Sequence, residues 1–212
     1  MRTIPDDLLD LVAGGRVRVN ADTTVVTVTV TAPPIDPGSG SQPNPGAGST
    51  GIGSGTGPHH TSPTPTLMPA NVNIDTLRNT VLSVSQQIEA MAKADDKEHG
   101  ALIVRMTNGN LRVGPISTGT DESNMASVDL APGEEVVAWV HDHPTGASIS
   151  NQTMPSVIDM NNLHSMEANP GVDPNTLVYI VDMASLNTFE FQTNYNARSG
   201  KPGADISTDY KP

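Results

Sequence analysis

The chain has 212 residues and a formal net charge of -12, from 23 acidic and 11 basic side chains, and it contains no cysteine. The negative balance speaks against general electrostatic binding of nucleic acid or anionic lipid. The missing thiols exclude disulfides, thiolate metal ligands and a cysteine nucleophile.

Two Phe, three Tyr and one Trp leave any core to Val, Ile, Leu, Met and Ala. No apolar run approaches the roughly 20 residues that cross a bilayer, and the first residues lack the basic start and apolar stretch of a Sec signal peptide. The first segment, residues 1–15 (MRTIPDDLLDLVAGG), is amphipathic, with Ile4, Leu8, Leu9, Leu11 and Val12 ahead of Gly14-Gly15. Taken by itself it reads as a short helix ended by glycine. It also resembles the double-glycine leaders of bacteriocins and microcins, which peptidase-containing ABC transporters cut after the second Gly during export. Those leaders favour apolar residues at the fourth, seventh and twelfth positions before the cut, matched here by Val12, Leu9 and Ile4. Their acidic residue eight positions back is replaced by Leu8. That resemblance implies a chain exported from a bacterium through an ABC-type exporter.

In residues 16–31, Val26, Val28 and Val30 alternate with Thr27, Thr29 and Thr31, the period of two of a strand with one apolar face. A lone hairpin is marginal in water, so pairing with the chain's own domain is the simple expectation, and strand addition to a partner the alternative. Residues 32–70 are dominated by Gly, Pro, Ser and Thr and read as a flexible linker. His59 and His60 fall in it and read as solvated loop residues.

Residues 71–193 have the pattern of a globular domain, followed by a polar tail over 194–212. Ile74, Leu77, Val81, Val84, Ile88 and Met91 recur at spacings of three and four, which predicts a helix over 74–94 capped by Asn71 or Asn73. ALIVRM and LRVGPI flank Asn108-Gly109, a pair suited to a type I′ hairpin turn. A short strand at 126–130 and a turn at Pro132-Gly133 follow. VVAWVH is apolar almost throughout, as in a central strand buried on both faces. A loop from Pro144 to Pro155 leads to a helix in SVIDMNNLHSMEA, and LVYIVD and TFEFQ add two strands. This order predicts an α+β layer structure.

The apolar strand ends in His141-Asp142-His143-Pro144. Side chains two apart on an extended segment project from the same side, so the two imidazoles can aim at one point. Imidazole is a common zinc ligand, and a catalytic zinc site adds a third protein ligand and an open position. Asp159, in the first turn of the second helix, can face back toward the strand end. Ser156-Val157-Ile158-Asp159 is equally a helix-capping pattern, and the two roles are compatible.

HDHP followed by SVID, with EHG upstream, resembles the JAB/MPN metalloprotease family, whose motif is a glutamate, then His-x-His-Pro, then Ser-x-x-Asp. The resemblance spans about residues 74–193. It implies a layered, cytidine-deaminase-like sheet flanked by helices and a zinc site. His141, His143 and Asp159 would bind Zn2+, Glu98 would be general base and proton shuttle, and Ser156 would hydrogen-bond the tetrahedral intermediate. The implied activity is cleavage of a peptide or isopeptide bond in a protein or peptide substrate.

With the leader and linker, the layout resembles small secreted bacterial toxins, for which a cognate inhibitor protein is a further expected partner. The alternatives are a non-catalytic module of the same fold and a phage-tail-type peptidase. Two departures mark this chain: a longer gap between Pro144 and Ser156, and Asp142 where the family more often has Ser, Thr or Asn. Asp142 is expected to point away from the metal and support a neighbouring backbone group. His99 reads as a residue outside the ligand set or on the surface, and His164 as a helix histidine with no ligand role.

Overall fold

The computed structural model describes the backbone of residues 15–20 and 25–30, and residues 62–119, 126–143, 145 and 153–207 with their side chains. Residues 1–14, most of the linker with His59 and His60, and Pro144 with most of the loop after it lie outside the described residues.

In chain order the strands are β1 (Gly15–Asn20), β2 (Val25–Val30), β3 (His99–Arg105), β4 (Leu111–Val113), β5 (Ser117–Thr118), β6 (Ser127–Leu130), β7 (Glu135–His143), β8 (Val172–Asp182), β9 (Asn187–Phe191) and β10 (Ala204–Asp205). The helices are α1 (Ile74–Asp95), before β3, and α2 (Val157–Glu167), between β7 and β8. The architecture is mixed α+β. The main sheet runs β10-β9-β8-β7-β3-β4, with β5 also pairing β3. Every pair in it is antiparallel except β7 with β8, which are parallel and joined through α2. Parallel neighbours need such a crossover.

α1 starts at Asn73, whose side chain accepts the Thr76 N–H at 2.9 Å. It ends at Asp96, which is in the left-handed region with φ 51°. Its predicted stripe of Leu77, Val81, Val84 and Ile88 is buried against Ala101, Ile103, Ala138, Val140, Tyr179 and Val181 of the sheet. The intervening residues Leu102, Val104, Trp139, Val178 and Ile180 face the other way, onto Met160, Leu163 and Met166 of α2 and Val128 and Leu130 of β6. Alternation along each strand thus gives the sheet two apolar faces, one under each helix. β7 is central, between β3 and β8, and Val136 through Val140 are fully buried.

β1 and β2 form an antiparallel pair that continues onto β6, making a second, three-stranded sheet. The N-terminal hairpin therefore pairs with the chain's own domain. Gly15, the last residue of the leader-like segment, is the first of β1 and pairs with Val30.

Three expectations need revision. The β3–β4 turn is not type I′, because Asn108 does not take a positive φ and Gly109 alone does, at 84°. Gly109 N–H donates to Met106 O and Met106 N–H to Asn110 O, which is a type I turn closed by a left-handed glycine. That geometry confines the strained conformation to the residue without a Cβ.

The linker expected over 32–70 ends earlier than its composition does, because residues 62–70 are held against the domain. Ser62 Oγ donates to Asp205 O at 2.6 Å, Leu67 N–H to Gln192 Oε1 at 2.9 Å, and Ala70 N–H to Asp173 Oδ2 at 2.9 Å. Arg78 of α1 reaches Ser62 O and Pro63 O while its guanidinium grips Glu190 at 2.7 Å and 2.9 Å. Tyr179 Oη donates to the same carboxylate. Finally, the sheet continues past residue 193: β10 lies within the polar tail, pairs with β9, and is followed by the fully buried Ile206.

Candidate metal centre

The centre forms where β7 ends and α2 begins. Trp139, His141 and His143 share a side of β7, the side that faces α2. Val140 and Asp142 point to the α1 side. The Trp139 indole stacks on the His141 imidazole with centroids 4.2 Å apart and planes 24° from parallel, which fixes the ring within a fully buried strand end. The His143 ring lies 5.2 Å beyond it.

Asp159 enters from α2 through a reciprocal cap. Ser156 Oγ accepts the Asp159 N–H at 3.1 Å, and Asp159 Oδ2 accepts the Ser156 N–H at 2.6 Å. A capping box satisfies two helix-end donors and stiffens both partners. The capping and ligand readings of SVID are therefore met by the same geometry, since the capped carboxylate faces the histidines. His141 Nε2 lies 3.6 Å from Asp159 Oδ1, and His143 Nε2 lies 3.5 Å from Oδ2.

These separations are long for hydrogen bonds. Two ligand atoms about 2.0–2.1 Å from one tetrahedral ion stand roughly 3.4 Å apart, and each imidazole nitrogen lies near that distance from an Asp159 oxygen, a different oxygen for each ring. One ligand atom from each of His141, His143 and Asp159 lies within 4.8 Å of the others, and all three residues are buried. Both ring nitrogens of His141 and Nδ1 of His143 are buried without a hydrogen-bond partner among the described residues. A buried polar atom left so costs on the order of 1–3 kcal/mol. The group is thus suited to hold a metal ion.

Charge states agree with that use. Burial pushes the His141 imidazole below its usual range, against an upward pull from Asp159, which favours the neutral form that ligates. Burial works against the Asp159 carboxylate, but positive charge on the His141 and His143 rings outweighs it and holds the pKa well below the usual carboxylate range, a part that a bound cation would take beside neutral rings.

Glu98 directly precedes β3 and is 3 % exposed. Gly100 pairs with His141 across β3 and β7, so two residues back Glu98 falls level with His143. Burial, then the charges of Asp159 and Asp142, push its pKa up to about 9. A carboxyl so perturbed beside clustered histidines is a candidate acid or base.

The strand and helix thus gather His141, His143 and Asp159, with Ser156 at the cap and Glu98 within their electrostatic reach. His164 is not gathered: it lies exposed on α2, 3.3 Å from Glu167. His99 is fully buried rather than at the surface, on the α1 side of the sheet. There its Nε2 lies 3.5 Å from Asp95 and its Nδ1 3.9 Å from Asp142. Asp142 is fully buried, and its Oδ1 accepts the His99 backbone N–H. It points away from the ligand cluster as its position between the histidines requires. Burial, partly offset by that bond, raises its pKa to about 7.

Trp139 belongs to the site although nothing in VVAWVH marks it as more than a core residue; the period of two that sends His141 and His143 to one side sends Trp139 there as well. Compared with known proteins, the chain matches no family model, no curated protein and no solved structure.

Proposed function

We propose that the chain is a zinc-dependent hydrolase of peptide or isopeptide bonds, of the type that the JAB/MPN metalloproteases represent. The observation that carries the proposal is the convergence of two buried imidazoles and a capped carboxylate at the end of a central strand, with a second buried carboxyl alongside. Two nitrogens and one oxygen, with no sulfur, form a three-ligand set of the catalytic rather than the structural kind. When bound at His141, His143 and Asp159, zinc supplies Lewis acidity, lowering the pKa of water toward ~7 and polarising a carbonyl.

The chain's own residues supply the rest. Glu98, pushed up to about 9 when no cation is near and favoured in its ionised form by a dication beside it, takes a proton from the attacking water and delivers it to the leaving amine. The Ser156 hydroxyl uses a lone pair to cap α2. Its proton is left to donate to the oxyanion of the tetrahedral intermediate. Trp139 keeps the His141 ring in its ligating orientation. Export through the leader-like residues 1–15, and a toxin role for the exported enzyme, belong to the same proposal and rest on the sequence.

The test is hydrolysis by the full zinc-loaded chain of a panel of peptides, ubiquitin-like conjugates and peptidoglycan fragments. Cleavage of an amide bond in at least one substrate is expected, abolished by a chelator and restored by zinc. A zinc-loaded chain that binds but cleaves none of them would instead be a non-catalytic module.

A further inference from the structure

The residue between the two histidines is buried on the opposite side of the sheet from them, yet it grips the peptide that carries Glu98. Asp142 Oδ1 accepts the N–H of His99, and Gly119 N–H donates to Glu98 O at 2.7 Å. The accepting carbonyl and the donating N–H belong to one peptide unit, the one that joins Glu98 to His99. It is therefore held from both sides, by β7 and by the residue after β5. The next ladder position toward β7 is Gly100 with His141, so the Asp142 side chain continues the pairing by one step beyond the backbone ladder.

We propose that Asp142 is a positioning residue for Glu98: its carboxylate sets the orientation of the Glu98–His99 peptide relative to the strand that presents His141 and His143. The inference rests on the reading of Glu98 as general base. Alternation along β7 makes the coupling direct. Residues 141 and 143 go to the ligand side and residue 142 to the other, so one three-residue stretch fixes both the ligands and the base. An error of about 1 Å in such a placement can cost on the order of 100-fold in rate. Asparagine keeps an oxygen acceptor at the same place, whereas alanine leaves the His99 N–H without one.

The experiment compares wild type, Asp142→Asn and Asp142→Ala as full zinc-loaded chains, together with Glu98→Gln and the Glu98→Gln/Asp142→Ala double variant. Asp142→Ala should exchange the His99 amide proton at least about tenfold faster than wild type. It should keep its zinc and its KM, and lose about 100-fold in kcat. Asp142→Asn should stay within about threefold of wild type in kcat and in His99 exchange. In the Glu98→Gln background, Asp142→Ala should cost nothing further, because the group it positions is gone. An active wild type whose Asp142→Ala variant keeps kcat would overturn the inference alone. A zinc-loaded wild type that cleaves no substrate would overturn the proposed hydrolase, and the positioning role with it.

Discussion

Glu98→Gln should retain zinc at the wild-type stoichiometry and lose between about 100-fold and 10,000-fold in kcat, the range associated with a general acid–base group. Glutamine keeps the shape of the side chain and its capacity to accept and donate hydrogen bonds, but it cannot take the proton from water or return it to the amine. Glutamine matches glutamate in shape at this buried position, and Glu98 is outside the group suited to hold a metal, so neither folding nor metal affinity should account for the loss. Steady-state kinetics on any substrate the wild type cleaves, paired with metal analysis of the same preparations, checks this. Equal rates in wild type and variant would remove Glu98 from the mechanism and leave its burial without a catalytic reason.

The second large effect concerns the metal-free protein. The pKa of Glu98 is near 9 in the fold against an ordinary 4.5. Between those values the folded chain keeps a proton that the unfolded chain releases. Stability should fall as pH rises through that interval and level off above it. Asp142 acts in the same direction from 3.8 up to about 7. His141, its pKa lowered by burial, acts oppositely on the acid side, where unfolding lets it take up a proton.

From pH 7 to pH 9 the decline therefore belongs mainly to Glu98, at up to about 1.4 kcal/mol per pH unit. Denaturant unfolding of metal-free protein should show a loss on the order of 2 kcal/mol over that window, absent from Glu98→Gln. Zinc-loaded protein should decline less, because a dication beside the carboxyl favours its ionised form. Parallel curves for metal-free wild type and Glu98→Gln would mean that the carboxyl is ionised at neutral pH.

Much of the fold was legible because its signals are local. The stripe of α1 is a spacing of three and four, β7 is an unbroken apolar run, and the start of α2 is written in Ser156 and Asp159. The candidate site was legible for the same reason: a period of two puts His141 and His143 on one side, and a helix start fixes Asp159. What escaped was set by partners far away in sequence. Residues 62–70 look like the linker before them, but they are held by Gln192, Asp173 and the buried Arg78–Glu190 pair. Nothing near residue 62 announces a carbonyl acceptor for Arg78. Ile206 sits in a polar tail, and the pairing of β10 with β9 leads it into the core under α1. The turn at Asn108-Gly109 departs from type I′ because that pair permits two left-handed positions while the longer loop needs only one. Glu98 has the sequence surroundings of a solvated helix end. It is buried because α1 stops at Asp95 and the chain turns at Asp96 directly into β3.

The proposed chemistry needs His141, His143 and Asp159 to be metal ligands, which metal analysis of the full chain, purified without chelator, checks. About one zinc per chain is expected for wild type, falling several-fold in His143→Ala under the same conditions. Less than about one-tenth of a zinc per wild-type chain, with none taken up on titration, would contradict it.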